Sequence, residues 1–201
     1  MGPAVVNSLI FEDNMLWSSN ARYLAFAAAL DGTSSDIYLF DTYSDSLQRL
    51  TSEEDQVVLM SWSPDDQTII YATAGQLFDN GFHDLETIWA VDIESGEINS
   101  LYSARAGREP IFGWISTDTF IVGAYNFESP LWGLSRVKIS QPGLQPIMDG
   151  YLDGVDLEMD SGTILVEINR SYWEPTIPKG IYRLDSRNGR MEMLISGENL
   201  Y

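Results

Sequence analysis

The chain contains no cysteine and a single histidine, and only 11 of its 201 residues are lysine or arginine. Without a thiol, cysteine nucleophiles, disulfides and cysteine-ligated metals are excluded. With His83 alone, a histidine-based zinc site would have to take all its other ligands from carboxylates, which excludes the usual donor sets. The few cations stand against 30 acidic residues, for a net charge of −19. A field of that sign repels phosphate backbones, so nucleic acid is not expected as a partner. It suits solubility, cations or a basic protein. The apolar runs are all under ten residues long. A membrane helix needs ~20, so no membrane insertion is expected. The opening MGPAVVNSLIFEDN has no basic region ahead of its apolar residues and an early acidic pair, so no signal peptide is expected in this chain.

What the sequence does have is 44 % hydrophobic and 12 % aromatic residues, enough for a substantial core despite the charge. It also repeats. LMSWSPDDQTIIYAT (59–73) aligns with NMLWSSNARYLAFAA (14–28), IFGWISTDTFIVGAY (111–125) and, more weakly, GVDLEMDSGTILVEI (154–168). Trp17, Trp62 and Trp114 share one position, taken by Leu157 in the last copy, at steps of 45, 52 and 43 residues. A third run follows each hairpin: DIYLFDT, TIWAVDIESG, PLWGLSRV and GIYRLDSRNG, three of them reaching an acid at Asp41, Asp92 or Asp185. A shorter apolar run then closes each unit: LQRLT, INSLY, LQPIM and MEMLIS. The runs are β-branched or aromatic, of strand length, and bounded by turn residues. Four strands per unit at this period predict an all-β propeller, or propeller arc, of four blades. The expected blades cover about 14–52, 57–104, 110–149 and 153–198 of a single domain, with an extra N-terminal strand at 4–11.

In such a unit Trp17, Trp62 and Trp114 are expected to pack between neighbouring blades. Pro64 suits a turn position that needs no ladder donor, and Asp65 tolerates the turn geometry. An arc of four blades would leave apolar faces and strand edges open, which predicts self-association or association with further blades.

SWSPDDQTIIYAT followed by ETIWAVDIESGEINSLY resembles the PD40 (WD40-like) repeat of TolB-like β-propellers, as does DIYLFDTYSDSLQRLT. That family shows a pattern like W-S-P-D-G-x-x-I-A-F, then I-Y-x-x-D-x-x-x-G, then an apolar strand often ending Leu-Thr. Only the second copy carries W-S-P-D in full. The resemblance implies a fold more than a function, and by analogy it favours the bacterial cell envelope or periplasm over the cytoplasm. The repeat is also similar to the propeller of prolyl-oligopeptidase-type serine peptidases, whose separate catalytic domain has no counterpart here.

No G-x-S-x-G nucleophile motif occurs. His83, flanked by Asp79 and Asp84, falls in what reads as a polar insertion and is expected in an exposed loop. No enzymatic activity and no cofactor are therefore expected. The densest acidic segment is DGYLDGVDLEMDSG, where Asp156, Glu158 and Asp160 alternate with apolar residues and offer weak candidate donors for a hard cation such as Ca²⁺. Recognition residues are sought instead in the connections between second and third strands, which are long and aromatic. There Phe82, Tyr125, Phe127, Tyr172 and Trp173 are the candidates for contact with a protein or peptide. The other reading of these aromatics, with the abundant carboxylates, is a glycan-binding surface.

Overall fold

The computed structural model describes residues 15–30, 34–52, 54, 56–77, 83–103, 113–126, 131–149, 154–158, 163–168 and 177–197. They form four separate four-stranded antiparallel sheets, each built from strands consecutive in sequence. The first sheet contains β1 (Met15–Trp17), β2 (Tyr23–Ala28), β3 (Asp36–Asp41) and β4 (Ser46–Arg49). The second contains β5 (Gln56–Trp62), β6 (Thr68–Leu77), β7 (His83–Asp92) and β8 (Ile98–Ser103). The third contains β9 (Gly113–Trp114), β10 (Thr119–Asn126), β11 (Leu131–Lys138) and β12 (Gln145–Asp149). The fourth contains β13 (Gly154–Glu158), β14 (Thr163–Ile168), β15 (Gly180–Asp185) and β16 (Met191–Ser196). The expected extra strand at 4–11 lies outside the described residues. No helix among the described residues is long and apolar enough to cross a membrane.

The chain divides into two compact units, 1–108 and 109–201. In the first unit, alternation along the strands gives each sheet two faces. The first sheet turns Ala25, Ala27, Ile37 and Leu39 toward the second, which answers with Val57, Met60, Ile69, Tyr71 and Val91. Small side chains on one sheet thus receive large ones from the other. Trp62 and Trp89 pack against this cluster from the second sheet, as do Leu16 and Tyr23 from the first. Val57 and Met60 are three apart, yet both face the first sheet. The register slips between Val58 and Met60, and Leu59 sits there at φ 51°. One bulged residue moves the strand from one phase to the other.

In the second unit the core forms between Ile115, Ile121 and Leu134 of the third repeat and Ile164, Val166, Ile168, Tyr182 and Leu184 of the fourth. Arg136 ties the pair together: it donates to Gln145 Oε1 at 2.9 and 3.1 Å and to the Ser186 carbonyl at 3.4 Å.

The repeat hairpins are closer in geometry than in sequence. Ser63 Oγ donates to Asp65 Oδ1 and accepts the Thr68 amide; Ser18 Oγ donates to Asn20 Oδ1 and accepts the Tyr23 amide. Asp66 and Ala21 occupy the same left-handed position, each at φ 57°. SSNAR is therefore the same turn as SPDDQ, with Asn20 taking the part of Asp65. The third hairpin is one residue shorter, pairing Trp114 with Phe120 where the second pairs Trp62 with Ile69.

The structural residues fall into different environments. Pro64 occupies the second position of the turn closed by the Asp66 amide on the Ser63 carbonyl, at 3.0 Å. Trp62 is half-buried, stacks on Tyr23 with centroids 6.4 Å apart, and donates from Nε1 to the Leu16 carbonyl at 3.1 Å. Trp114 is half-buried against Phe120. Trp17 departs from the packed position expected for it, being 55 % exposed. It lies on the face of the first sheet turned away from the second, and among the described residues of its unit no other sheet faces it.

Candidate functional site

Each sheet has one end carrying its first and third turns and another carrying the connection between its second and third strands. In the first unit the two sheets are fastened at both ends. At the turn end, Asp66 of the β5–β6 turn accepts the Ser19 amide and hydroxyl, each at 2.7 Å, and the Asn20 amide at 3.2 Å. At the other end, Ser35 Oγ accepts the Val57 amide at 2.9 Å and donates to its carbonyl at 3.1 Å.

The recurrent acids are engaged in turns and sheet closure. Asp41 accepts the Tyr43 amide at 2.9 Å and a two-pronged contact from Arg22 at 2.8 and 3.3 Å. That guanidinium and amide hold its carboxyl down to about 2, and the same contact raises Arg22. Arg22 also lies over the rings of Tyr23 and Tyr43. Asp92 accepts the Ser95 and Glu94 amides and the Ser95 hydroxyl, contacts that lower its pKa. Asp185 accepts the Arg187 amide and Asn188 Nδ2. The third repeat has Lys138 at this place, and Asp118 reaches over from the β9–β10 turn to accept the Ser140 amide and hydroxyl instead. Asp36, buried at the start of β3, accepts from Arg49 at 2.6 Å and from Thr51 Oγ1 at 3.3 Å. Among the described residues, no three His, Asp or Glu side chains are grouped to hold a metal ion. Asp156 and Glu158 lie on β13, while Asp160 lies outside the described residues.

The connection end is where the repeats differ. β6 continues four residues past Thr73, the counterpart of Ala28 at the end of β2. The pairing runs on to Leu77 opposite His83, with register shifts near Ala74. His83 is therefore the first residue of β7 and not part of a loop, because strand pairing consumes most of the apparent insertion. Residues 78–82, which separate the two strands, lie outside the described residues. The root is fixed by buried Thr73, whose hydroxyl accepts Trp89 Nε1 at 3.2 Å and donates to the Thr87 carbonyl. On β8 of the same sheet, burial raises the Tyr102 phenol well above its ordinary range.

In the second unit, β10 and β11 pair as far as Asn126 opposite Leu131. Tyr125 stands in register with Trp132, a residue that sequence reasoning passed over because its strand partner is only fixed by the pairing. In the fourth sheet, β14 ends at Ile168, level with Gly180. The segment entering β15 is anchored: the Tyr182 hydroxyl donates to the Pro178 carbonyl, and the Gly197 amide donates to the Lys179 carbonyl at 2.7 Å. Burial raises the Tyr182 phenol. Phe82, Phe127, Tyr172 and Trp173 lie outside the described residues; of the five candidates, Tyr125 alone falls on a described strand.

Comparison with protein-family profiles and with curated protein sequences returns no match. Solved structures do match. TolB from Acinetobacter baumannii is similar over 91 % of this chain at TM-score 0.58 and 14 % identity. The β-propeller domain of the trilobed protease from Pyrococcus furiosus matches over 87 % at TM-score 0.58 and 14 % identity. A chain of the nidogen/laminin complex matches over 90 % at TM-score 0.54 and 8 % identity. The four sheets are propeller blades. The TolB-like resemblance of the repeats thus holds at the level of the β-propeller fold, which these identities carry and nothing finer. The chain spans 43 % of the TolB chain, 54 % of the protease propeller chain and 64 % of the chain in the nidogen/laminin complex.

Proposed function

We propose that this chain is a non-catalytic propeller scaffold that binds a protein or peptide through the connections between second and third strands. The observation that carries the reading is the division of labour within the blades. The turn ends are committed to internal fastening by Asp41, Asp66, Asp92, Asp118 and Asp185. The opposite ends diverge in length, with a long hairpin in the second blade and Tyr125 opposite Trp132 in the third. Rigid blades that vary most at one end are suited to recognition by loops. The nidogen/laminin structure is a protein complex involving a similar fold, which supports a protein partner by analogy.

A test compares isotope-labelled affinity capture by the unaltered chain and by a Phe82→Ser, Tyr125→Ser, Trp173→Ser variant of equal thermal stability. Partners retained by the first and lost by the second are expected. Identical recovery by both would refute loop-mediated binding. The second reading, a propeller that controls access to a serine peptidase, rests on the likeness to the Pyrococcus furiosus domain. It requires the retained partner to be a peptidase whose cleavage of large substrates changes when the chain is bound.

A further inference from the structure

The turn between third and fourth strands is closed in the same way in three of the blades. An amide donates to Oδ1 of the acid two residues before it: Tyr43 on Asp41, Glu94 on Asp92 and Arg187 on Asp185, at 2.9, 3.1 and 2.8 Å. Main chain makes that bond, so the turn sets no requirement on the side chain. The first blade alone carries an aromatic ring there, and the ring is 80 % exposed, more than any other large hydrophobic side chain among the described residues. Exposure has not left it loose. The Arg22 guanidinium lies 5.5 Å from its centroid and 4.6 Å from that of Tyr23, and both oxygens of Asp41 hold that guanidinium in place. Tyr23 stacks in turn on Trp62, whose indole is bonded to the Leu16 carbonyl. A run of four, Tyr43–Arg22–Tyr23–Trp62, thus leads from the interface of the two blades out to solvent. The turn does not need it. Arg22 accepts the Thr42 amide on its carbonyl, and Gln67 and Asp118 do the same for Ile93 and Ile139 in the next two blades.

We propose that Tyr43 is a docking point for an arginine side chain of a basic peptide segment, which stacks on the open ring and pairs with Asp45. A ring already held by its neighbours loses little freedom on binding, and tyrosine is among the residue types that anchor interfaces. The π-face attracts cations, and a chain of net charge −19 draws them in. Asp45 follows two residues on in the same turn, exposed, its carboxylate without a bonding partner among the described residues. An anion is a poor occupant, because the charge of Arg22 is already taken by Asp41. Arginine is favoured over lysine: a planar guanidinium lies flat on a ring and meets a carboxylate with two donors, whereas an ammonium is a point charge. This surface lies at the turn end, opposite the connections proposed above for recognition, and stands independently of them.

The test uses the full chain labelled with 3-fluorotyrosine, the Tyr43 resonance being assigned by Tyr43→Phe. The probes are acetyl-tetra-arginine amide and acetyl-tetra-lysine amide, equal in charge, at physiological ionic strength. The arginine probe should move the Tyr43 line and bind more tightly than the lysine probe. Tyr43→Ser, which leaves the net charge unchanged, should weaken it about two- to fivefold, and Tyr43→Phe should not. Asp45→Asn should weaken it more than Glu54→Gln, which removes the same charge from the link to the second blade. Equal affinity of the unaltered chain and Tyr43→Ser would overturn the proposal, as would equal losses at Asp45 and Glu54; either leaves attraction by the field as a whole. Should Tyr43→Ser lower the Tm, the unaltered chain decides: a Tyr43 line unmoved at saturation refutes docking there. The Phe82→Ser, Tyr125→Ser, Trp173→Ser chain should bind the arginine probe unchanged. A loss in that chain, with Tyr43→Ser unaffected, would transfer the binding to the connections and refute this site.

Discussion

Asp66 and Ser19, 47 residues apart, meet where the second blade fastens to the first. Both oxygens of the carboxylate are used: one on the Ser19 amide, the other on its hydroxyl, each at 2.7 Å. The residue that does this sits at φ 57°, where the repeat pattern of similar propellers has glycine. Backbone comfort is given up for contacts across the interface.

That exchange can be measured. Glycine at position 66 relieves the left-handed backbone but removes three hydrogen bonds. We expect Asp66→Gly to destabilise the chain by about 1–3 kcal/mol, since bonds to a buried charged acceptor outweigh the strain of an aspartate in this region. Asp66→Ala should cost more, because it loses the bonds and keeps the Cβ. Asp66→Asn, which retains one acceptor, should cost least. Urea unfolding of the three variants gives the order. A stabilised glycine variant would show that the turn, not the link, limits stability.

Trp62 separates packing from hydrogen bonding at the same interface. Trp62→Phe keeps a ring against Tyr23 and loses the bond to the Leu16 carbonyl, for about 1 kcal/mol. Trp62→Ala also empties the space between the sheets, for about 3–5 kcal/mol. Trp17→Ala should cost clearly less, because that indole is 55 % exposed. Denaturant midpoints at constant m-value are the readout, and equal losses at Trp17 and Trp62 would contradict the difference in burial.

The repeat, the strand runs and the turn acids were legible in the sequence because each is local: a period, an alternation, an Asp two residues before the amide it caps. What was not legible depends on neighbours. Trp17 and Trp62 are the same residue in the same motif, and the facing sheet alone separates their environments. SSNAR reads as a lost motif, yet Asn20 and Ala21 reproduce the turn of Asp65 and Asp66. Asp65 drew attention as the motif acid, while its neighbour Asp66 makes the link between blades. His83 looked like a loop residue because a hairpin extended by irregular register leaves no clean alternation. Of the candidate contact residues, the strand pairing places Tyr125 opposite Trp132. The partner is illegible for a physical reason: the repeats encode how blades pack, and that packing pattern carries nothing about what the chain binds.

The Asp41–Arg22 pair gives a pH signature. The Asp41 carboxyl is lowered from 3.8 to about 2, first by the Arg22 contact and then by the Tyr43 amide. A depressed acid stabilises the fold above its unfolded value, and the contribution disappears as pH falls from 3.8 through about 2. Arg22→Gln should therefore move the Asp41 midpoint upward toward 3.8, without restoring it fully while the Tyr43 amide remains. Carboxyl NMR titration reads this directly. An unaltered midpoint in the variant would assign the shift to the turn amides.

Gly96 and Gly189 close equivalent turns at the same φ of 70°, each donating its amide to the carbonyl four residues back, on Asp92 or Asp185. Their surroundings differ. A Cβ on Gly96 meets nothing within 4 Å, whereas one on Gly189 would lie 2.5 Å from the Ile147 carbonyl oxygen on β12. Gly96→Ala therefore isolates the left-handed backbone cost, about 1–2 kcal/mol. Gly189→Ala adds a collision with main chain that cannot rotate away, and should exceed it by at least about 1 kcal/mol. The excess should shrink in a Gly189→Ala chain whose third and fourth blades are loosened by Arg136→Met, which removes the tie to the Ser186 carbonyl. Equal losses at the two glycines would mean that β12 yields freely to the fourth blade's turn. A larger loss at Gly189, relieved by Arg136→Met, would establish that contact as a rigid seam within the second unit.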